Sequence, residues 1–157
     1  MGHENASILK ACPLLRSFTE TGLQIIAAIA EPKQVPAGAP LFVEQMIGDS
    51  FFVIVEGLVR LTVRGPNGRE VDLVTLGPFE SLGEAAILRS GPRLCTAIAD
   101  IPTRVLEIAR RDVAALQRTK PQAALKLMIA VVDRLADRTL EATPDLREFV
   151  AWKSGAH

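Results

Sequence analysis

The chain has 157 residues, 48% of them hydrophobic, with 18 lysines and arginines balancing 18 aspartates and glutamates. That length and apolar share suffice for one core and argue for a single domain that folds alone, while the balanced charge removes the broad positive field that would make nucleic acid or an anionic membrane the default partner. Histidine occurs only at positions 3 and 157, near chain ends where order is poor, and this counts strongly against a metal site or a Ser-His-Asp hydrolase, each of which needs an imidazole held rigidly in the fold.

The N-terminus MGHENASILK has neither a basic n-region nor an apolar h-region, and no apolar run is long enough for a membrane span, so a cytoplasmic protein is expected. Cys12 and Cys95 lie far apart without metal-type spacing and are expected to stay thiols in a reducing compartment. The segment SILKACPLLRSFTETGLQIIAAIA places apolar residues at helical spacing, interrupted by Pro13 and by the Ser17–Thr21 stretch. This predicts N-terminal helices over 7–33, two short ones rather than one, with Thr19 as an N-cap.

From Val35 to Ala109 the pattern changes to short β-rich runs: LFVEQ, SFFVIVEG, LVRLTVRG, EVDLVTLG, LCTAIAD and TRVLEIA. Pro66, Asn67 and Gly68 sit between two such runs and mark a hairpin. Several short strands at this interval predict an antiparallel β-barrel or jelly roll over 35–109. After Arg110 the helical period returns over 110–150, first in the short RDVAALQRT and then in a long helix opening at Pro121, a natural first-turn position. Along it Leu125, Met128, Val132, Leu135 and Thr139 fall at steps of three and four, the spacing of a coiled-coil seam. That stripe could equally pack on its own barrel or form a homodimer. The fold class is therefore mainly β with flanking helices.

The stretch from Leu82 to Ala97, LGEAAILRSGPRLCTA, places an acid, Glu84, and a base, Arg93, nine positions apart. A carboxylate accepts hydrogen bonds and suits a sugar hydroxyl, whereas a guanidinium is a planar donor suited to phosphate; one ligand carrying both groups is a nucleotide. The segment Gly83-Glu84-Ala85-Ala86 can form a short turn whose N–H groups add to anion binding, with Gly83 allowing close backbone approach. The competing reading is an ordinary salt bridge across a loop, worth little if exposed.

These residues resemble the phosphate-binding cassette of the cyclic nucleotide-binding domains of catabolite-activator-type regulators, cyclic-nucleotide-dependent kinases and gated channels, which runs roughly F-G-E-L-A-L, a short spacer, then P-R-A/S-A-T. The resemblance extends over nearly the whole chain: PLLRSFTETGLQIIA is similar to the family's N-terminal helical bundle, and VPAGAPLFVEQMIGDSFFVIVEGLVRL to its first strands, with Gly38, Gly48, Asp49 and Gly57 at the expected turns. It implies that Glu84, with Gly83, holds a ribose hydroxyl. It also implies that Arg93 holds the cyclic phosphate, helped by Ala85 and Ala86 through backbone N–H groups and by the adjoining Leu94 and Cys95. Leu82, Arg138 and Thr139 are the implied base contacts, and Phe149 and Trp152 further stacking candidates.

Three departures stand out. Gln45 replaces a usual turn glycine, Phe79-Glu80 replaces a common Gly-Asp, and both are expected to alter loop shape only. Leu94 stands where the family has alanine, serine or threonine; it cannot donate a hydrogen bond, and its bulk is expected to narrow the pocket.

The resemblance implies a non-enzymatic regulatory module with cyclic AMP, or cyclic GMP, as ligand, no metal and no cofactor. It would act through its C-terminal helices on a dimer interface or an unknown protein partner. About a dozen and a half residues follow Leu140, fewer than a three-helix DNA reader needs, so direct DNA binding is not expected; no kinase Gly-rich loop, HRD or DFG pattern is present. The alternatives are a ligandless interaction module of the same fold, for which Leu94 is the main support, and a cupin-like metal enzyme, which the lack of barrel histidines opposes.

Overall fold

The computed structural model describes residues 2–154, apart from the side chains of Phe149, Val150 and Trp152; the two stacking candidates therefore lie outside the described residues. Helix α1 (Gly2–Ala11), a 3-10 turn (Pro13–Leu15) and α2 (Glu20–Ala27) come first. Pro13 leads the turn, and the Thr19 hydroxyl caps α2 by accepting from the Gly22 amide at 3.1 Å, as its position before the apolar run predicts.

Ten strands follow: β1 (Ala30–Val35), β2 (Pro40–Phe42), β3 (Ile47–Gly48), β4 (Ser50–Glu56), β5 (Val59–Arg64), β6 (Glu70–Leu76), β7 (Ser81–Leu82), β8 (Gly91–Pro92), β9 (Thr96–Ala99) and β10 (Thr103–Ala109). A short α3 (Ala85–Leu88) lies between β7 and β8, and α4 (Arg110–Thr119) and α5 (Pro121–Lys153) close the chain. The strands form two antiparallel sheets, ordered β1-β10-β4-β7 and β2-β9-β5-β6, with β3 and β8 as a separate two-stranded ribbon. The jelly roll with helical flanks is thus present, but its sheets do not close into a barrel.

Strand β4 explains the architecture. Its run SFFVIV is buried on both faces, as expected of a strand with protein on each side. Alternation splits it: Phe51, Val53 and Val55 join the core shared with the helices, while Phe52 and Ile54 join a second core between the sheets with Val59, Leu76, Leu82, Ala97 and Val105. The first sheet is therefore a wall between two cores, and each fully buried leucine, isoleucine or phenylalanine in them contributes about 1.5–3 kcal/mol of transfer free energy.

Two expectations change. Residues 30–35 form β1, not the end of a helix, pairing with β10 from Ala30↔Ile108 to Val35↔Thr103; AEPKQV has no apolar alternation, and Pro32 is tolerated because β1 is an edge strand. The α5 stripe divides between two environments. Met128 and Leu135 pack against the helical core beside Ala124, Leu127 and Val131, whereas Leu125 and Val132 are exposed, as is Thr139. The exposed apolar row runs instead through Leu125, Ile129, Val132 and Leu140.

Candidate nucleotide-binding site

The cassette residues lie at the junction of the first sheet, the β3/β8 ribbon and α5. Glu84 ends the β7–α3 turn and is 1% exposed. One carboxylate oxygen accepts from the Ser81 hydroxyl at 2.6 Å, and the other from the Arg138 guanidinium of α5 at 3.0 Å. Arg138 donates again to the Ser81 carbonyl at 3.2 Å, so one side chain of the C-terminal helix bridges two points of the cassette.

Arg93, 8% exposed, is held differently. It donates to the Ser50 carbonyl at 2.7 Å and to the Gly83 carbonyl at 3.4 Å, and its guanidinium lies over the Phe42 ring 4.3 Å from the centroid, with Phe52 at 5.9 Å. Such stacking orients a guanidinium while leaving in-plane N–H groups for other acceptors. Among the described residues no carboxylate pairs with it, and its buried Nε has no hydrogen-bond partner. Burial pushes its pKa down, opposed by the field of Asp49, because charge in a desolvated place is costly without a counter-ion. The arrangement suits an anion.

The backbone is shaped around this arginine. The would-be Cβ of Gly48 falls on the Arg93 guanidinium, and that of Gly83, where φ is +79°, comes 2.6 Å from Nη1. The ribbon fixes the arginine's own backbone, since the Gln45 amide donates to the Arg93 carbonyl and the Arg93 amide to the Met46 carbonyl, both at 2.8 Å. Glu84 and Arg93 form no salt bridge with each other among the described residues; each has its own partners on either side of Gly83. The simple cross-loop ion pair is not what this structure contains.

The family model for the cyclic nucleotide-binding domain matches residues 32–120, more than half of the chain. The chain belongs to the cyclic nucleotide-binding domain family. A similar curated relative is the cyclic AMP receptor protein of Thermus thermophilus, 30% identical over 90% of this chain and 64% of that protein. The chain thus spans under two-thirds of that relative's length, and 57% of a CRP-like cAMP-activated global transcriptional regulator from Mycobacterium tuberculosis. Among solved structures, the N-terminal domain of a transcriptional regulator from Streptomyces coelicolor superposes with a TM-score of 0.76 at 30% identity, covering 87% of this chain and 94% of that one. A cyclic nucleotide-binding-like protein from Brucella abortus gives 0.64 at 33% identity, covering 73% and 98%.

Other expected contacts of this cyclic nucleotide-binding domain are placed unevenly. Ala85 opens α3, and the Ala86 amide donates to the Gly83 carbonyl at 3.1 Å within the turn. Leu82 is buried in the core between the sheets. Leu94 is 82% exposed, so the expectation that its bulk narrows the pocket is corrected: the side chain is turned to solvent. Cys95 is half-buried, its thiol pushed up by burial and drawn down by Arg93. The Thr139 hydroxyl donates to the Leu135 carbonyl of its own helix at 2.8 Å, and the residue is exposed.

Sequence reasoning missed Ser81, Ser50, Phe42 and Phe52. Ser81 carries a weak signal, three residues before the acid, but the aromatic pair under Arg93 comes from β2 and β4 and becomes adjacent only through the fold.

Proposed function

We propose that this chain is a cyclic nucleotide sensor, cyclic AMP being the first candidate, in which Arg93 receives the cyclic phosphate and Glu84 a ribose hydroxyl. The observation that carries the reading is Arg93 itself: a nearly buried guanidinium, stacked on Phe42, without a carboxylate partner among the described residues and with Nε unsatisfied. Leaving such a charge unpaired is costly. A phosphodiester supplies one negative charge and planar acceptors suited to a guanidinium. The names of the Thermus and Mycobacterium relatives support cyclic AMP over other anions.

The output we assign to α5. Its exposed residues Leu125, Ile129, Val132, Ala136 and Leu140 advance by three or four residues, the spacing by which two copies pack helix on helix. The sensor thus acts as a homodimer or on a partner protein through this helix, without chemistry of its own.

Isothermal titration of the purified chain with cyclic AMP and cyclic GMP tests the reading. Saturable binding of one molecule per chain is expected. Affinity weaker than about 1 mM, little more than 4 kcal/mol, for both nucleotides overturns it in favour of a ligandless interaction module.

A further inference from the structure

Two buried side chains, Ser81 and Cys12, stand behind the acid of the cassette. Ser81, on β7, is 6% exposed, and its hydroxyl donates to the Glu84 carboxylate at 2.6 Å, a contact buried at both ends. Its backbone is pinned as well, since it pairs with Val53 of β4. Cys12 comes from the N-terminal segment, where it precedes the 3-10 turn at 0% exposure and its thiol makes no capping bond. The Cys12 amide donates to the Leu9 carbonyl at 3.1 Å and its carbonyl accepts from the Leu15 amide at 3.0 Å, so the thiol is delivered from a fixed frame. That thiol is in hydrogen-bond contact with the Ser81 hydroxyl, and burial, assisted by the Glu84 charge, pushes its pKa up. It therefore stays protonated at neutral pH.

A serine hydroxyl has one proton and two lone pairs. The Ser81 proton goes to the carboxylate, a charged acceptor and so the stronger one. That leaves lone pairs facing Cys12, and the protonated thiol is the donor there. The result is a directed relay, from the Cys12 thiol to the Ser81 hydroxyl to the Glu84 carboxylate. It commits one oxygen of the acid and thereby fixes the plane in which the other presents its lone pairs. Closing a 3′,5′-cyclic phosphodiester uses the 3′ and 5′ oxygens of the ribose, so the 2′-hydroxyl is the one left to donate to Glu84. We propose that Ser81, backed by Cys12, is a positioning residue that sets how strongly the site prefers ribose to 2′-deoxyribose, so that a thiol of the N-terminal segment shapes sugar specificity. A site built to bond a ligand hydroxyl rejects the analogue lacking it only while its acceptor is correctly aimed, and the aim is set by the groups behind that acceptor.

The inference rests on the cyclic-nucleotide reading of Glu84 and Arg93, and the experiment separates the two. Cyclic AMP and 2′-deoxy cyclic AMP are titrated into wild type, Ser81→Ala, Cys12→Ala and Cys12→Ser. Wild type is expected to favour cyclic AMP by about tenfold or more, the scale of one hydrogen bond to a charged group. Ser81→Ala should weaken cyclic AMP until the two affinities agree within about threefold. The deoxy analogue should bind it as it binds wild type, which also shows that the variant folds. Cys12→Ala should lose part of the preference, and Cys12→Ser, which retains a donor, should keep it. A wild-type preference in Ser81→Ala overturns the proposal, as does equal weakening of both nucleotides, the mark of a merely structural role. If Ser81→Ala does not fold, the Cys12 pair decides: undiminished preference in Cys12→Ala overturns the relay. Wild type that binds both nucleotides alike also overturns it, taking Glu84 off the sugar while leaving Arg93 and the phosphate in place. Wild type that binds neither overturns the functional reading and this inference with it.

Discussion

At the scale of single residues, the site is a matter of two charges held by unlike means. Glu84 is fixed by hydrogen bonds and Arg93 by carbonyls and an aromatic face, so the two should respond differently to change. Arg93→Ala removes the anion partner and is expected to weaken nucleotide binding by about 2–5 kcal/mol in titration, the range for losing one partner of a buried charge pair. Its effect on stability should be small, because the wild-type guanidinium carries an unsatisfied Nε. Gly48→Ala tests the same group from behind. Its methyl would fall on the guanidinium, and since Ser50 and Phe42 hold that group in place, the expected result is overpacking of about 1–3 kcal/mol in unfolding together with loss of affinity. A variant that binds normally would mean that Arg93 relocates freely. The departures from family pattern also become legible at this scale. Gln45 and Phe79 both adopt left-handed backbone, with φ of 70° and 69°, a conformation uncommon outside glycine. The two turns keep the geometry that glycine would give them, at the cost of strain, so the substituted residues follow the loop shape rather than redefining it.

At the scale of elements, legibility followed periodicity. Strands β4, β5, β6 and β10, helix α4 and the Thr19 cap were readable because alternation, turn residues or a capping oxygen mark them locally. Strand β1 was not, because its pairing with β10 lies in the partner's sequence, and neither were β3, β7 and β8, two-residue pieces that exist only through long-range ladders such as Ile47↔Pro92. Helix α5 was found, but a three-and-four spacing cannot say which of two adjoining rows meets the body of its own chain. Only the packing of Ala124, Leu127 and Val131 does, and it moves the free row to Leu125, Ile129, Val132 and Leu140. If that row joins two copies, Ile129→Glu places a charge in the seam, and light scattering should find monomer where wild type is dimeric. Because Ile129 is exposed in the single chain, the variant should keep its melting temperature at low protein concentration, where wild type is also monomeric. A fall under those conditions would place Ile129 in the fold rather than in an interface.

At the scale of the whole molecule, ligand binding and folding are linked through one equilibrium, and thermal unfolding reads it. A ligand present at a hundred times its dissociation constant stabilises the native state by about 2.7 kcal/mol. For a chain of about this size each kcal/mol raises the midpoint by about 2–4 °C, so saturating cyclic nucleotide should raise it by about 5–10 °C. Arg93→Ala should abolish the rise at the same nucleotide concentration. Arg138→Ala should lower the ligand-free midpoint, because it leaves the buried Glu84 carboxylate without its cation. Loss of the rise in a variant changed only at Arg93 is an outcome that non-specific stabilisation by a charged solute cannot produce. An equal shift in wild type and Arg93→Ala would place the nucleotide away from the cassette altogether.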